Sequence, residues 1–218
     1  VLYYSDTQKS PWQIQMRSRF FHMAEDSHLF DSERFNESAP LYEAKYIHQY
    51  NHRWASFEGL DAHRISAEYL NDPNLQTQSR YYVSTLEIKQ RLKALSKQNY
   101  ILVWRDIARS TDERTFISAI IPEAGVVGCV VAFIEDFSKE LCSIFGNFNS
   151  LVFDYVVRQK VGGTHVSQQL VWQFPVLPPN WYDAADRAFI TPRVVELTYT
   201  AWDVQAFARD MGMDGAPF

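Results

Sequence analysis

The 218 residues predict an α+β fold, a mixed and mainly antiparallel sheet packed with helices. Three observations carry that reading. The apolar runs "YILVWRDIA" and "RTFISAIIP" are short, rich in β-branched and aromatic residues, and flank a charged turn, as two arms of an antiparallel hairpin do. Two longer stretches, "STLEIKQRLKALSK" and "FSKELCSIFGNFNSLVFDYVVRQKVGG", carry helical spacing and helix end signals. Hydrophobic residues make up 46% and aromatics 15%, enough for one sizeable core and too much for a disordered chain.

Taken in order, the segment through Pro40 ends in the polar, acidic "DSERFNESAP" and reads as loop or connecting structure. "KYIHQY" and "RWASFE" partly alternate and read as strands. "HRISAEYLNDPN" closes on a turn signal, and a polar loop follows to Ser79. Ser84 and Glu87 stand in capping-box spacing at the start of a helix whose Leu86, Leu92 and Leu95 share roughly one face. The hairpin comes next, and "VVGCVVAFI" gives a third strand. The stretch after it is one helix, or two broken near Gly146. Asn149 is its candidate N-cap, and Val152, Tyr155 and Val156 form an apolar stripe. Arg158 and Lys160 lie near its end, where the helix dipole favours cations, before Gly162-Gly163 stops it. "QQLVWQFPVLPP" returns as a strand closed by prolines, and the tail beyond Asn180 holds short helices, notably "TAWDVQAFARDMG".

No apolar run approaches the roughly 18 residues needed to span a bilayer, and "VLYYSDTQKS" lacks the basic and apolar regions of a signal peptide. With only Cys129 and Cys142, both in apolar settings, two reduced core thiols in a cytoplasmic protein are expected, not a disulfide framework. The net charge of -5 argues mildly against nucleic acid, but it is unevenly spread. Between Lys45 and Arg114 basic residues outnumber acidic ones, whereas beyond Asn180 six acids face three arginines. A basic face on one part of the molecule is therefore compatible with the total.

Common catalytic signatures are absent. There is no G-x-S-x-G elbow, no P-loop and no strand-linked G-x-G-x-x-G. "HQYNH" sets His48 and His52 at helical metal spacing, but Gln49 stands where a zinc hydrolase needs its glutamate, so no metal site is expected.

Two polar clusters remain. "WRDIARSTDERT" places Arg105, Arg109 and Arg114 between the hairpin arms, where they suit phosphates or guanine edges. Asp112 and Glu113 there orient the arginines or accept from cytosine N4, and an internal salt-bridge network is the structural alternative. Arg158, Lys160, Thr164 and His165 surround Gly162-Gly163 in a compact turn whose backbone N–H groups suit a phosphodiester; plain helix capping is the alternative.

The blocks R-D-I-A-R-x-T-D-E-R-T and N-S-x-x-F-D-Y-x-x-R-Q-K-x-G-G-T-H are the most specific of several that resemble, in order and over nearly the whole chain, one family. The others include "PWQIQMRSRFFHMAEDSHLF", "LYEAKYIHQYNHRWASFEG" and "RVVELTYTAWDVQAFARDMGMDGAPF". The chain resembles the C-terminal region of large single-chain type II restriction–modification methylases, which methylate adenine at N6 and have relatives in phage defence. The resemblance implies a connecting segment over residues 1–40 from an upstream methyltransferase domain, a DNA target recognition domain over 41–179, and a truncated helical extension over 180–218. It also implies that double-stranded DNA and the upstream domain are the partners. Catalysis would belong to that domain, with its N-P-P-Y motif, its S-adenosylmethionine, and in some members a nuclease. Neither N-P-P-Y nor a glycine-rich cofactor motif occurs here, so no cofactor and no catalytic residue are expected in these 218 residues themselves. Within the family reading, a turn shared by relatives with different target sites serves phosphate positioning or scaffolding before base readout. A protein-interaction module docking a partner subunit of a defence complex is the alternative from another class.

Overall fold

Strands and helices follow one another in the computed structural model, which describes residues 10–93, 98–134 and 137–218. The strands are β1 (Ile14–Arg17), β2 (Ser38–Glu43), β3 (Ala55–Glu58), β4 (Asp61–Arg64), β5 (Tyr82–Ser84), β6 (Tyr100–Arg105), β7 (Ser118–Pro122), β8 (Gly125–Val127) and β9 (Cys129–Ile134). The helices are α1 (Ala67–Leu70), α2 (Thr85–Leu92), α3 (Phe137–Phe148), α4 (Leu151–Lys160), α5 (Gln168–Val171), α6 (Ala184–Thr198) and α7 (Gln205–Asp210). The fold is α+β, with a four-stranded antiparallel sheet in the order β1-β9-β6-β7 at its centre. A three-stranded sheet, β5-β2-β8, and the β3-β4 hairpin complete the β structure among the described residues.

β6 is central, and Ile101, Leu102, Val103 and Trp104 are buried on both of its faces, which explains a continuous apolar run instead of alternation. It pairs with β7 in the expected hairpin, Trp104 opposite Ser118 and Leu102 opposite Ile120. The third strand is two strands. Gly128, at φ +67°, breaks it, so that β8 runs parallel to β2 while β9 turns into the central sheet beside β6.

The long helical stretch is likewise two helices, but the break falls at Asn149 and Ser150, beyond Gly146. Ser150 is the N-cap of α4, accepting the Phe153 N–H at 3.1 Å. Asn149 is buried instead, its Nδ2 donating to the Phe145 carbonyl at 3.3 Å. The apolar stripe on α4 also faces the other way. Val152 and Tyr155 are 74% and 66% exposed, and Phe153, Asp154 and Val157 are the buried set. Phe153 enters an aromatic row with Phe116 at 5.0 Å and Phe174 at 5.7 Å between centroids, which fixes the helix rotation.

Three further expectations change. "KYIHQY" forms a 3-10 turn over Ala44–Tyr46 and a tight His48–Asn51 bridge, because Tyr50 adopts φ +60°. "QQLVWQFPVLPP" starts as the short helix α5, capped by Ser167, and not as a strand. On α2 Ser84 caps through the Leu86 N–H, whereas Glu87 pairs with Arg91 at 2.9 Å. Leu86 points outward while Ile88 and Leu92 are buried; Leu95 lies outside the described residues.

Residues 10–40 and 180–218 share the same core as the middle of the chain. β1 pairs with β9, and Trp12 donates its indole N–H to the Leu177 carbonyl at 3.1 Å. Tyr199, Val204 and Phe207 are fully buried, Phe207 against the Tyr100 ring at 5.6 Å. A buried cation closes this end. Arg53, 0% exposed, donates to the carbonyls of Leu70, Asp72, Leu75 and Thr200 at 2.7–3.1 Å. It thereby ties the loop after β4 to the segment before α7, beside the His52–Asp203 pair at 2.7 Å. Burial pulls the Arg53 guanidinium below its ordinary pKa, and nearby Asp203 opposes the shift.

Two outcomes follow. Arg53→Met removes a fully buried cation and the donor to four carbonyls, so urea denaturation will show a loss of about 3 kcal/mol or more, and a loss below about 1 kcal/mol would contradict the clamp. Cys129 and Cys142 are free and buried, and burial pushes both thiols up to about 12 from 9.0. The folded state then keeps protons that the unfolded chain releases. Stability is full below pH 9.0 and falls as pH rises toward about 12, to be read from denaturation midpoints across that window.

Candidate nucleic-acid interface

The loop over residues 106–117 joins β6 to β7 and is anchored by its apolar end. Phe116 lies against Trp104 at 5.8 Å and packs on Phe148 and Phe153, so the loop leaves the core at a fixed place. Its polar end is held by α4. Asp154, 4% exposed, accepts the main-chain N–H groups of Thr115 and Phe116 at 2.7 and 2.8 Å. Arg158, one turn later on the same helical face, donates Nε to the other Asp154 oxygen at 2.8 Å. Its Nη1 reaches the Ser110 carbonyl at 2.8 Å and its Nη2 the Glu113 carbonyl. All three guanidinium nitrogens of Arg158 are thus engaged inside the protein, Nε on Asp154 and the two Nη on the loop. Within the loop, Asp112 accepts the Arg109 N–H at 2.9 Å and Thr115 donates its hydroxyl to the Arg109 carbonyl at 3.2 Å.

The loop also meets the diglycine turn. Ile107 and His165 form an antiparallel bridge, with Ala108 donating to the Thr164 carbonyl at 3.1 Å and Val166 to the Asp106 carbonyl at 2.6 Å. The Asp106 carboxylate lies 3.0 Å from His165 Nδ1. Two blocks about fifty positions apart in sequence therefore form one surface.

The turn itself has an unexpected property. Gly162 and Gly163 both lie outside the left-handed region, and a Cβ on either would meet nothing within 4 Å. Neither the helix stop nor the packing of the free protein calls for glycine. Gly162, Gly163, Thr164 and His165 are all exposed, and among the described residues their N–H groups have no acceptor. Successive open main-chain donors with no side chain in the way suit an anion that comes close to the backbone.

The predicted side chains fall into three groups. Arg109, Lys160 and Thr164 are exposed, and the two cations have no ion pair or side-chain hydrogen bond among the described residues. Asp112, Arg158 and His165 are engaged inside the surface and shape it. Arg105 and Arg114 stand apart. Arg105 donates Nε, at 3.0 Å, and Nη2 to the Ile47 carbonyl, so that edge is taken and the opposite edge, Nη1 with the second N–H of Nη2, remains for a ligand. Burial lowers its pKa, opposed by Cys129 and Asp112. Arg114 is half-buried toward the His48–Asn51 turn, and its enclosed Nη1 has no acceptor among the described residues.

His48 stacks on Trp54 at 4.2 Å, and Arg64 lies over the same indole at 4.0 Å. Burial, then Arg105, draws its pKa below the ordinary value, with Glu113 opposing. His48 and His52 thus serve different partners, and among the described residues no three His, Cys, Asp or Glu side chains form a metal cluster. No helix among the described residues is long and apolar enough to cross a membrane. Sequence reasoning missed Asp154 and Asp106. Asp154 stands four residues before Arg158, the spacing of a helical ion pair, and that signal was available.

Asp154→Ala frees two buried N–H groups and the Arg158 guanidinium, and will cost about 3–5 kcal/mol in denaturant unfolding. Gly162→Ala and Gly163→Ala will stay within about 0.5 kcal/mol of the parent. A large loss at either glycine would show that the free fold requires it after all.

Compared with models of known protein families and with curated proteins, the chain matches none.

Proposed function

We propose that this chain recognises duplex DNA as the target recognition part of an adenine-N6 methyltransferase, working in the cytoplasm. The observation that carries the DNA reading is the surface shared by the 106–117 loop and the diglycine turn. Among the described residues it offers four consecutive main-chain N–H groups without acceptors, two glycines that no contact demands, and the cations Arg109 and Lys160 without an ion pair. Phosphodiesters need that combination: main-chain donors at close approach, and charge that is not already neutralised. In this reading Arg158 and Asp112 position the loop and do not touch DNA. The methyltransferase context rests on the resemblance of the sequence blocks. S-adenosylmethionine and the transferred methyl group belong, in this proposal, to an upstream catalytic domain that also closes the DNA cleft.

A second reading, docking of a partner protein, is favoured by one feature. Leu151, Val152 and Tyr155 leave the outer face of α4 apolar and exposed. The two readings separate by salt, since phosphate contacts weaken steeply with ionic strength and apolar contacts do not.

Binding to a mixed-sequence duplex, measured across salt concentrations, tests the first reading. Arg109→Ala and Lys160→Ala should each weaken binding to all sequences alike and reduce the salt slope by about one. Gly163→Ala should weaken binding without loss of stability. Parental affinity and slope in all three variants would remove this surface from DNA recognition.

A further inference from the structure

An open cavity of about 380 Å³ lies where the end of β6, the turn at Gly128 and the Ala44–Tyr46 turn meet. Its size is that of a small-ligand site, about 300–1,000 Å³, and not of a groove for a chain segment. Met23, Ile107 and Val127 give it apolar walls, and Glu43, Lys45 and Arg105 give it a polar edge. The polar edge is held in place. Lys45 Nζ lies 3.2 Å from one Glu43 oxygen, and Tyr46 donates its hydroxyl to the other at 3.1 Å. Arg105 is fixed through Ile47, with Nη1 and the second N–H of Nη2 left over. A carboxylate therefore stands beside two cationic donors, over an apolar floor.

The cavity adjoins the proposed phosphate surface. Ile107 is at once a cavity wall and the bridge partner of His165. Bridged residues stand about 4.5–5.5 Å apart, a separation on the scale of one nucleotide. Asp106 binds both sides, donating its N–H to the Gly128 carbonyl at 3.2 Å and accepting from Val166.

Resting on the duplex-recognition reading, we propose that this cavity holds one unstacked guanine base of the bound nucleic acid. Guanine is the base whose Watson–Crick edge sets two adjacent donors, N1–H and N2–H, beside an acceptor, O6. The Glu43 carboxylate accepts from the donors, and Lys45 with Arg105 Nη1 donates to O6. Apolar contact with Met23, Ile107 and Val127 replaces the lost stacking, as in other sites that take a base out of the helix.

The test compares a fully paired duplex with duplexes carrying one extrahelical guanine or one extrahelical adenine, and titrates the four nucleoside monophosphates separately. Glu43→Gln removes the charged acceptor at constant size, and Met23→Trp fills the cavity from its exposed rim. The parent should prefer the extrahelical guanine by about tenfold or more over both other duplexes. Each variant should lose that preference while binding the paired duplex as the parent does. Equal binding of guanine and adenine bulges by the parent, or a preference that survives both variants, overturns the proposal. Failure to bind any duplex overturns the duplex reading instead. The monophosphates then decide the cavity alone: selective guanosine monophosphate binding that Glu43→Gln abolishes sustains it, and no selectivity ends it.

Discussion

Three donors converge on the buried carboxylate of Asp154, and the candidate surface depends on that convergence. A lone carboxylate at this depth is costly, and two main-chain N–H groups with a guanidinium offset the cost. The same arrangement aims Arg158 at two loop carbonyls, so a helix residue dictates the path of a loop more than forty positions earlier. With its backbone held by Asp112 and Thr115, Arg109 stands exposed on a fixed base. Phe116 performs the matching task below, wedged among Trp104, Phe148 and Phe153. A loop rich in charge thus keeps one shape without forming its ion pairs within itself.

The hairpin, the paired helices and the helical tail were legible because each is local. Apolar runs of strand length flank a charged turn, and helix spacing and capping signals are short-range. Long-range choices were not legible. "VVGCVVAFI" reads as one strand until Gly128 takes a positive φ and sends its halves to different sheets. On α4 two faces compete for burial. Val152 and Tyr155 are more apolar than Asp154, yet Phe153 belongs to the aromatic row and carries Asp154 inward with it. The aromatic partners of Phe153 and the loop donors to Asp154 together make that rotation favourable, and both are far away in sequence.

The candidate site was legible as composition and not as roles. Five of the eight singled-out residues lie on the loop or on the turn beside it, Arg158 and Lys160 end the helix before that turn, and Arg105 lies at the strand end leading into the loop. Charge alone did not separate donors spent inside the protein, Arg158 and one edge of Arg105, from those left outside, Arg109 and Lys160. Nor did sequence foretell that Gly162-Gly163 has no conformational duty in the free fold. An open backbone with no internal reason for glycine is the strongest sign that something approaches it. The outer face of α4, apolar and exposed, turns away from Asp154 and leaves room for a second contact without disturbing the first.

Amide hydrogen exchange, with and without duplex DNA, tests the central claim most directly. In the free protein the amides of Gly162, Gly163, Thr164 and His165 should exchange fast, since no acceptor holds them among the described residues, while Thr115 and Phe116 on Asp154 should exchange slowly. Addition of duplex DNA should slow the four turn amides and leave the outer face of α4 unchanged. Turn amides that exchange at the same rate with DNA bound, or protection confined to α4, would contradict the account.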